Sequence, residues 1–181
     1  EAESLNVVIC HLGAGSSICA IKNGKPYDTT MGYTALDGLM MANRSGAIDP
    51  SIVAEIGIKE KLSYEEVLKK LNLNSGYLGI CDESDIKTIC DYAEKGNPKA
   101  ILALRMANIN FKKQLGGMLA LVPNNQMIII TGGMGSKNYR QREMLFSNLE
   151  HLGIYLNSEK NRMLYEEEGI ISREDSSVPL W

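Results

Sequence analysis

Val7-Val8-Ile9-Cys10-His11-Leu12-Gly13-Ala14-Gly15-Ser16-Ser17 is the stretch whose reading decides the fold. Its first four residues have the length and β-branching of a buried strand. Gly13 and Gly15 then remove side chains where the backbone turns, so it is expected to take positive φ and let a ligand approach its N–H groups. Ser16 and Ser17 add hydroxyl donors. Residues 18–21 read as a second strand, and Asn23-Gly24 is a hairpin signal. The glycine loop is therefore expected to be the turn of a β-hairpin. It does not read as a strand-to-helix phosphate loop, because the Gly-Lys-Ser/Thr ending of that motif is missing. Taken alone, a Gly-x-Gly turn is weak evidence, since such turns are more often only turns.

The rest of the chain can bury a core around this hairpin. It has 181 residues, 44% of them hydrophobic, which fits one domain. A net charge of −3 argues against nucleic acid as the main partner, since phosphate backbones recruit basic faces. No apolar run approaches a membrane span and no signal-peptide pattern opens the chain. Cys10, Cys19, Cys81 and Cys90 form no C-x-x-C pair and read as reduced thiols of a cytosolic protein. Both ends are expected to be cut from a longer chain, since Glu1-Ala2-Glu3-Ser4 leads straight into a strand and Val178-Pro179-Leu180-Trp181 is apolar.

Beyond the hairpin, residues 27–33 read as strand or extended chain and 36–41 as one or two helical turns. These deliver Asn43-Arg44-Ser45-Gly46, a polar loop with one arginine. Asp49-Pro50 opens a helix in which Ile52, Val53 and Ile56 share a face, and Ser63 with Glu66 forms a capping box for the next. Residues 77–80 are expected to be a short strand. It empties into the acidic loop 81–85, whose Asp82 is expected to cap a helix over 86–94. The longest helix follows Asn97-Pro98, with Ile101, Leu104, Asn108, Phe111, Leu115, Met118, Leu119 and Val122 at helical spacing. Asn108 within that stripe needs a partner if buried.

Met127-Ile128-Ile129-Ile130-Thr131 reads as a central strand buried on both faces. Gly132-Gly133-Met134-Gly135 follows it directly, then a helix over about 139–151. Strand, glycine cluster and helix in this order place a small-molecule site at the strand's carboxyl end. A short helix over 159–164 and an edge strand over 169–172 complete the reading. The class is α/β with a mixed sheet flanked by helices.

These motifs run in the order and spacing of a known family. His11-Leu12-Gly13-Ala14-Gly15-Ser16, Met31-Gly32-Tyr33-Thr34, Gly38-Leu39-Met40-Met41, Arg44-Ser45-Gly46, Asp49-Pro50, Ser75-Gly76-Tyr77-Leu78-Gly79-Ile80 and Thr131-Gly132-Gly133-Met134-Gly135 resemble the acetate, propionate and butyrate kinases. The resemblance covers nearly the whole chain. It implies an actin-like ATPase (ribonuclease H-like) fold and a chain, residues 1–181, that is most of the second, nucleotide-binding domain. The first domain with the acyl site, the last strand and the closing helix would lie outside it.

The implied activity is reversible phosphoryl transfer from ATP to acetate or another short-chain carboxylate, giving acyl phosphate and ADP, by a cytoplasmic homodimer. Nucleotide and carboxylate would be its partners, with no nucleic acid or membrane, and Mg²⁺ would accompany ATP/ADP without dedicated protein ligands. By the same resemblance, His11 and Arg44 would be catalytic. His11, Gly13, Ala14, Gly15, Asp85, Ile86, Lys87, Gly132, Gly133, Met134 and Gly135 would bind nucleotide and phosphate. The physics is consistent with those roles. Phosphoryl transfer rests on positioning and charge compensation, and a planar guanidinium matches phosphoryl oxygens. Ala14 stands where these kinases usually have asparagine, Ser136-Lys137 where they have Glu-Asn, Lys87 where they have arginine, and the 81–85 loop is one residue short. Those departures leave open a non-catalytic nucleotide-binding module or a kinase using another phosphoryl donor such as pyrophosphate.

Overall fold

The computed structural model describes residues 2–181. Three strands come first, β1 (Val7–Leu12), β2 (Ser16–Lys22) and β3 (Lys25–Thr29). Five helices follow: α1 (Pro50–Glu60), α2 (Tyr64–Leu73), α3 (Gly76–Cys81), α4 (Ile86–Glu94) and α5 (Pro98–Leu121). Then come β4 (Met127–Thr131), α6 (Gly133–Lys137), α7 (Tyr139–Phe146) and α8 (Ser158–Met163). Among the described residues no helix is long and apolar enough to cross a membrane.

The sheet has the order β3-β2-β1-β4, with β1 antiparallel to β2 and parallel to β4. It is a mixed sheet, as the alternation of elements predicts. Gly13 to Gly15 is the β1–β2 hairpin turn, but neither glycine takes the expected positive φ. Because β1 and β4 run the same way in register, Val7 opposite Met127 and His11 opposite Thr131, their carboxyl ends finish side by side. Each then enters a glycine bend, so both bends sit at one edge of the sheet.

Val8, Cys10 and Leu12 of β1 and Ile18 and Ala20 of β2 are buried against Phe111, Leu115 and Met118 of α5. Phe111 meets Phe146 of α7 edge to face, ring centroids 5.3 Å apart. A second cluster joins Tyr77, Cys81, Ile86, Ile89 and Cys90 to Ala100, Ala103 and Ala107 on the first half of α5. Small residues there let α3 and α4 approach closely. Cys10, Cys81 and Cys90 are buried free thiols and Cys19 is half-buried. Burial in apolar surroundings pushes the Cys10 thiol far up.

Several local expectations are corrected. Residues 76–81 are helix, not strand. Tyr77 and Cys81, four apart, are buried, and the first helical N–H groups have acceptors: Tyr77 donates to the Met41 carbonyl and Leu78 to that of Ala42, both at 3.0 Å. Residues 36–41 form bends and irregular chain rather than a helix. Asp85, not Asp82, caps α4, while Asp82 ends α3 and pairs with Lys99 at 2.7 Å. In β4 only Ile128 is fully buried. The strand has β1 on one side and merely residues 179–181 on the other, where Trp181 donates to Ile128 and Ile128 to Pro179, each at 2.8 Å. Residues 169–172 make a single bridge, Ser172 to Leu156, instead of a strand. The helix expected over 139–151 stops at Phe146, with a separate 3-10 turn at Glu150–Leu152. In α1 no residue is buried, and Ile52 is half-exposed. Asn108 Oδ1 is buried without a partner.

Candidate nucleotide site

Gly13 and Gly15 form the inner end of the candidate site. Ser16 Oγ donates to the Gly13 carbonyl at 3.0 Å and fixes the turn. A Cβ on Gly15 would lie 3.2 Å from Arg44 Nη1, so the guanidinium rests on that glycine. The Arg44 loop is brought there by backbone bonds: Ala42 N–H donates to the Ala14 carbonyl at 3.3 Å and Ser75 N–H to that of Asn43 at 2.9 Å. Arg44 itself donates to the Ala35 carbonyl at 3.1 Å and has no carboxylate partner among the described residues.

His11 closes the same end. Its Nδ1 is 3.0 Å from Thr131 Oγ1, across the β1–β4 pair, and its Nε2 would sit 3.3 Å from a Cβ on Gly13. When the Thr131 hydroxyl donates to Nδ1, the neutral ring carries its proton on Nε2, the nitrogen beside the glycine turn.

From this end a cleft of about 750 Å³ runs outward. Gly13, Ala14, Asp85, Ile86, Lys87, Gly133 and Met134 line it, bringing together segments from β1, α4 and α6. His11, Gly15 and Arg44 stand beside its inner end without lining it, and Gly132 and Gly135 do not line it either. A Cβ on Gly132, whose φ is 86°, would fall on the Leu12 carbonyl, and one on Gly135 would lie 2.9 Å from Ile130 Cγ2. These two glycines let the second bend close onto β1 and β4.

The Thr88 N–H, at 2.9 Å, and then its hydroxyl, at 2.8 Å, hold the Asp85 carboxyl below the usual carboxylate range. The cleft also takes in Lys137, Tyr139, Arg140, Arg162 and Tyr165. Of these, sequence reasoning named only Lys137, as a departure. Arg140, in the first turn after the glycine cluster, was findable from its position, whereas Arg162 and Tyr165 carried no local signal. Arg140 is neutralised by Asp91 at 2.7 Å and Glu94 at 3.0 Å, and Lys137 by Glu166 at 2.5 Å. Arg44, Lys87 and Arg162 make no ion pair among the described residues. The site thus keeps a positive surplus suited to a polyanion.

The sequence profile of the Acetokinase family matches residues 1–181. The chain belongs to that family. An acetate kinase of Dictyoglomus thermophilum is 44% identical over 180 residues, 99% of this chain and 45% of its own length. The crystal structure of Porphyromonas gingivalis acetate kinase superposes with a TM-score of 0.93 at 34% identity, over 98% of this chain and 45% of that one. A propionate kinase from Francisella tularensis gives a TM-score of 0.91 at 35% identity, over the same shares. This acetokinase-family chain therefore has the actin-like ATPase fold of those enzymes. It spans a little under half the length of the relatives it matches.

Proposed function

We propose that this chain is the nucleotide-binding half of a phosphotransferase that moves a phosphoryl group reversibly between ATP and a short-chain carboxylate, acetate first among them. One observation carries the reading. Parallel β1 and β4 end in adjacent glycine bends, with Arg44 resting on the first and a nucleotide-sized cleft between that turn and Gly133.

In this reading the Ala14 and Gly15 N–H groups hold the phosphates, the Gly13 N–H being donated to Ser16 Oγ at 3.3 Å. Arg44 compensates charge on the transferring group, and His11 donates from Nε2 to an oxygen whose charge grows in the transition state. Asp85, Ile86 and Lys87 flank the nucleoside on one wall, and Gly133 and Met134 on another. Among the described residues no group of three His, Cys, Asp or Glu is gathered to hold a metal ion, and Asp85 is the one carboxylate lining the cleft. Such a site fits Mg²⁺ carried by phosphates and water, where it would neutralise charge on the nucleotide.

The cleft volume favours a nucleotide over pyrophosphate as donor. At about 750 Å³ it falls in the range of small-molecule sites, roughly 300–1,000 Å³, and pyrophosphate would leave most of it empty. The acyl site would belong to a preceding domain, so this chain alone is expected to bind nucleotide without turnover. Leu102, Met106 and Ile109 form an exposed apolar stripe on α5 that supports association into a homodimer. Free cysteines, three of them buried, accord with a cytoplasmic location.

The test is an assay of the complete protein with ATP, Mg²⁺ and acetate, propionate or butyrate, trapping acyl phosphate with hydroxylamine. Acyl hydroxamate is expected with at least one acid. No product with any of the three, using ATP or pyrophosphate, would overturn the reading and leave a non-catalytic binding module.

A further inference from the structure

Among the described residues, Arg142 on α7 is the one charged side chain that is fully buried, at 2% exposure. No carboxylate pairs with it. Four hydrogen bonds to neutral oxygens hold it instead: Nε donates to Asn161 Oδ1 at 2.7 Å, Nη1 to the Gly135 carbonyl at 2.7 Å, and Nη2 to the carbonyls of Asn161 at 2.6 Å and Leu164 at 2.9 Å. Burial without a counter-charge pulls the guanidinium below its ordinary pKa.

A buried ion of this kind is costly, and an apolar side chain of similar size would fill the space without that cost. What only arginine supplies is a rigid fork of donors that can tie several carbonyls at once. The carbonyls it ties belong to two parts of the cleft wall. Gly135 is in the glycine cluster that carries Gly133 and Met134. Asn161 and Leu164 are in the segment at the end of α8 that carries Arg162 and Tyr165. Carbonyls at a helix C-terminus lack intrahelical partners and bear the negative end of the dipole, so they suit a cation.

Asn161 is fully buried and saturated. It also donates to the Tyr139 carbonyl at 3.0 Å and to Glu143 Oε2 at 3.2 Å. Outside this buried knot, Lys137 and Glu166 tie the same two segments at the surface. Arg142 does not itself line the cleft.

We propose that Arg142 is a positioning residue for nucleotide recognition. Its guanidinium locks the 158–165 segment onto the glycine cluster, so that Tyr165 and Arg162 form a wall for the base and ribose of a nucleoside diphosphate. Tyr165 offers a ring face for stacking, and Arg162 a planar cation with no carboxylate partner among the described residues. The Gly13–Gly15 turn is built by β1 and β2 and stands apart from this knot, so binding of phosphates alone loses only what the solvent-screened charge of Arg162 contributes. The inference rests on reading the cleft as a nucleotide site.

Calorimetry with Mg²⁺–ADP and with pyrophosphate tests it on the unaltered protein, Arg142→Lys, Tyr165→Ala, Arg162→Ala and combinations, with circular dichroism to confirm folding. Lysine keeps the charge but loses the fork. Arg142→Lys is expected to weaken ADP about tenfold, the size of one lost base-stacking contact, and to change pyrophosphate by less than about twofold. In a background already lacking Tyr165 and Arg162, Arg142→Lys should cost ADP binding less than about twofold. A merely structural role would lower the melting temperature and leave the ADP-to-pyrophosphate affinity ratio unchanged. A folded Arg142→Lys protein with unaltered ADP affinity overturns the inference. So does unaltered ADP affinity in Tyr165→Ala and Arg162→Ala, which lie on the surface and do not depend on the buried knot for folding. Failure of the unaltered protein to bind ADP at all would instead overturn the nucleotide reading, and this inference with it.

Discussion

His11 Nδ1 and Thr131 Oγ1 stand 3.0 Å apart on the last residue pair of the parallel β1–β4 ladder. The contact joins the end of one strand to the end of the other and leaves Nε2 facing Gly13. Thr131→Val keeps the shape and β-branching while removing the hydroxyl. It is expected to lower kcat by about tenfold, less than the 10²–10⁴-fold that a positioned proton donor is worth, with KM for ATP little changed. Steady-state kinetics of the complete protein check this; an unchanged kcat would show that the ring needs no such anchor.

Arg44 and Gly15 touch, so each should report on the other. Arg44→Ala is expected to reduce kcat by roughly 10²-fold or more, as when a transition-state donor is removed, with little effect on folding. In Gly15→Ala the new methyl would press on Nη1 at 3.2 Å and displace the flexible guanidinium rather than the backbone. The double variant should then be hardly worse than Arg44→Ala alone. Additive losses in the kinetics would separate the two residues.

Asp85 caps α4 in the ionised form, and its carboxyl is held below the usual range by the Thr88 N–H and hydroxyl. A depressed folded-state pKa contributes stability above the unfolded pKa and loses it as pH falls through the folded value. Asp85→Ala should therefore cost about 1 kcal/mol at neutral pH, the usual worth of such a cap. The gap to the unaltered protein should hold down to about pH 4 and close below it. Thermal melts of both proteins across that range measure it, and a gap that persists undiminished at the acid end would contradict the assignment.

Phe146 is fully buried against Phe111 in the core between α5 and α7. Phe146→Ala is expected to destabilise the fold by about 3–5 kcal/mol in denaturant unfolding, through lost burial and the cavity left behind. A loss below about 1 kcal/mol would mean that α7 collapses into the space, which the close packing of protein interiors opposes.

The hairpin, its glycine turn, the caps at Asp49 and Ser63 and the Phe111, Leu115 and Met118 half of the α5 stripe were legible because each is written in neighbouring residues; the first half of α5 instead buries Ala100, Ala103 and Ala107 and leaves Ile101 exposed. The 76–81 segment was not. Four apolar residues fit either period, and what makes it a helix is the set of carbonyls at Met41 and Ala42, more than thirty positions away. The strand from 127 to 131 reads as central from its apolar run, yet only Ile128 is fully covered, since the run says nothing about how many neighbours will flank it. The glycines, histidine and arginine that meet at the inner end of the candidate site were named from the sequence through the family resemblance. Arg162 and Tyr165 were not, because the tie that brings them to the cleft runs through Arg142, twenty positions before the first of them.

The pairing of β1 with β4 acts as a caliper for the two bends. Slipping one strand by a single residue would turn Ile128 out of the core. Slipping it by two would offset Gly13 from Gly133 by about 6.6 Å, and so shift the proposed phosphate turn against the proposed nucleoside wall by far more than a hydrogen bond tolerates. Since Val8 and Ile128 are both locked into the hydrophobic layer, the spacing of the grip is set by oily residues that never meet the ligand. On the proposed function, variation that refits the site to a longer or shorter anion is thus to be sought along the ladder as well as in the loops.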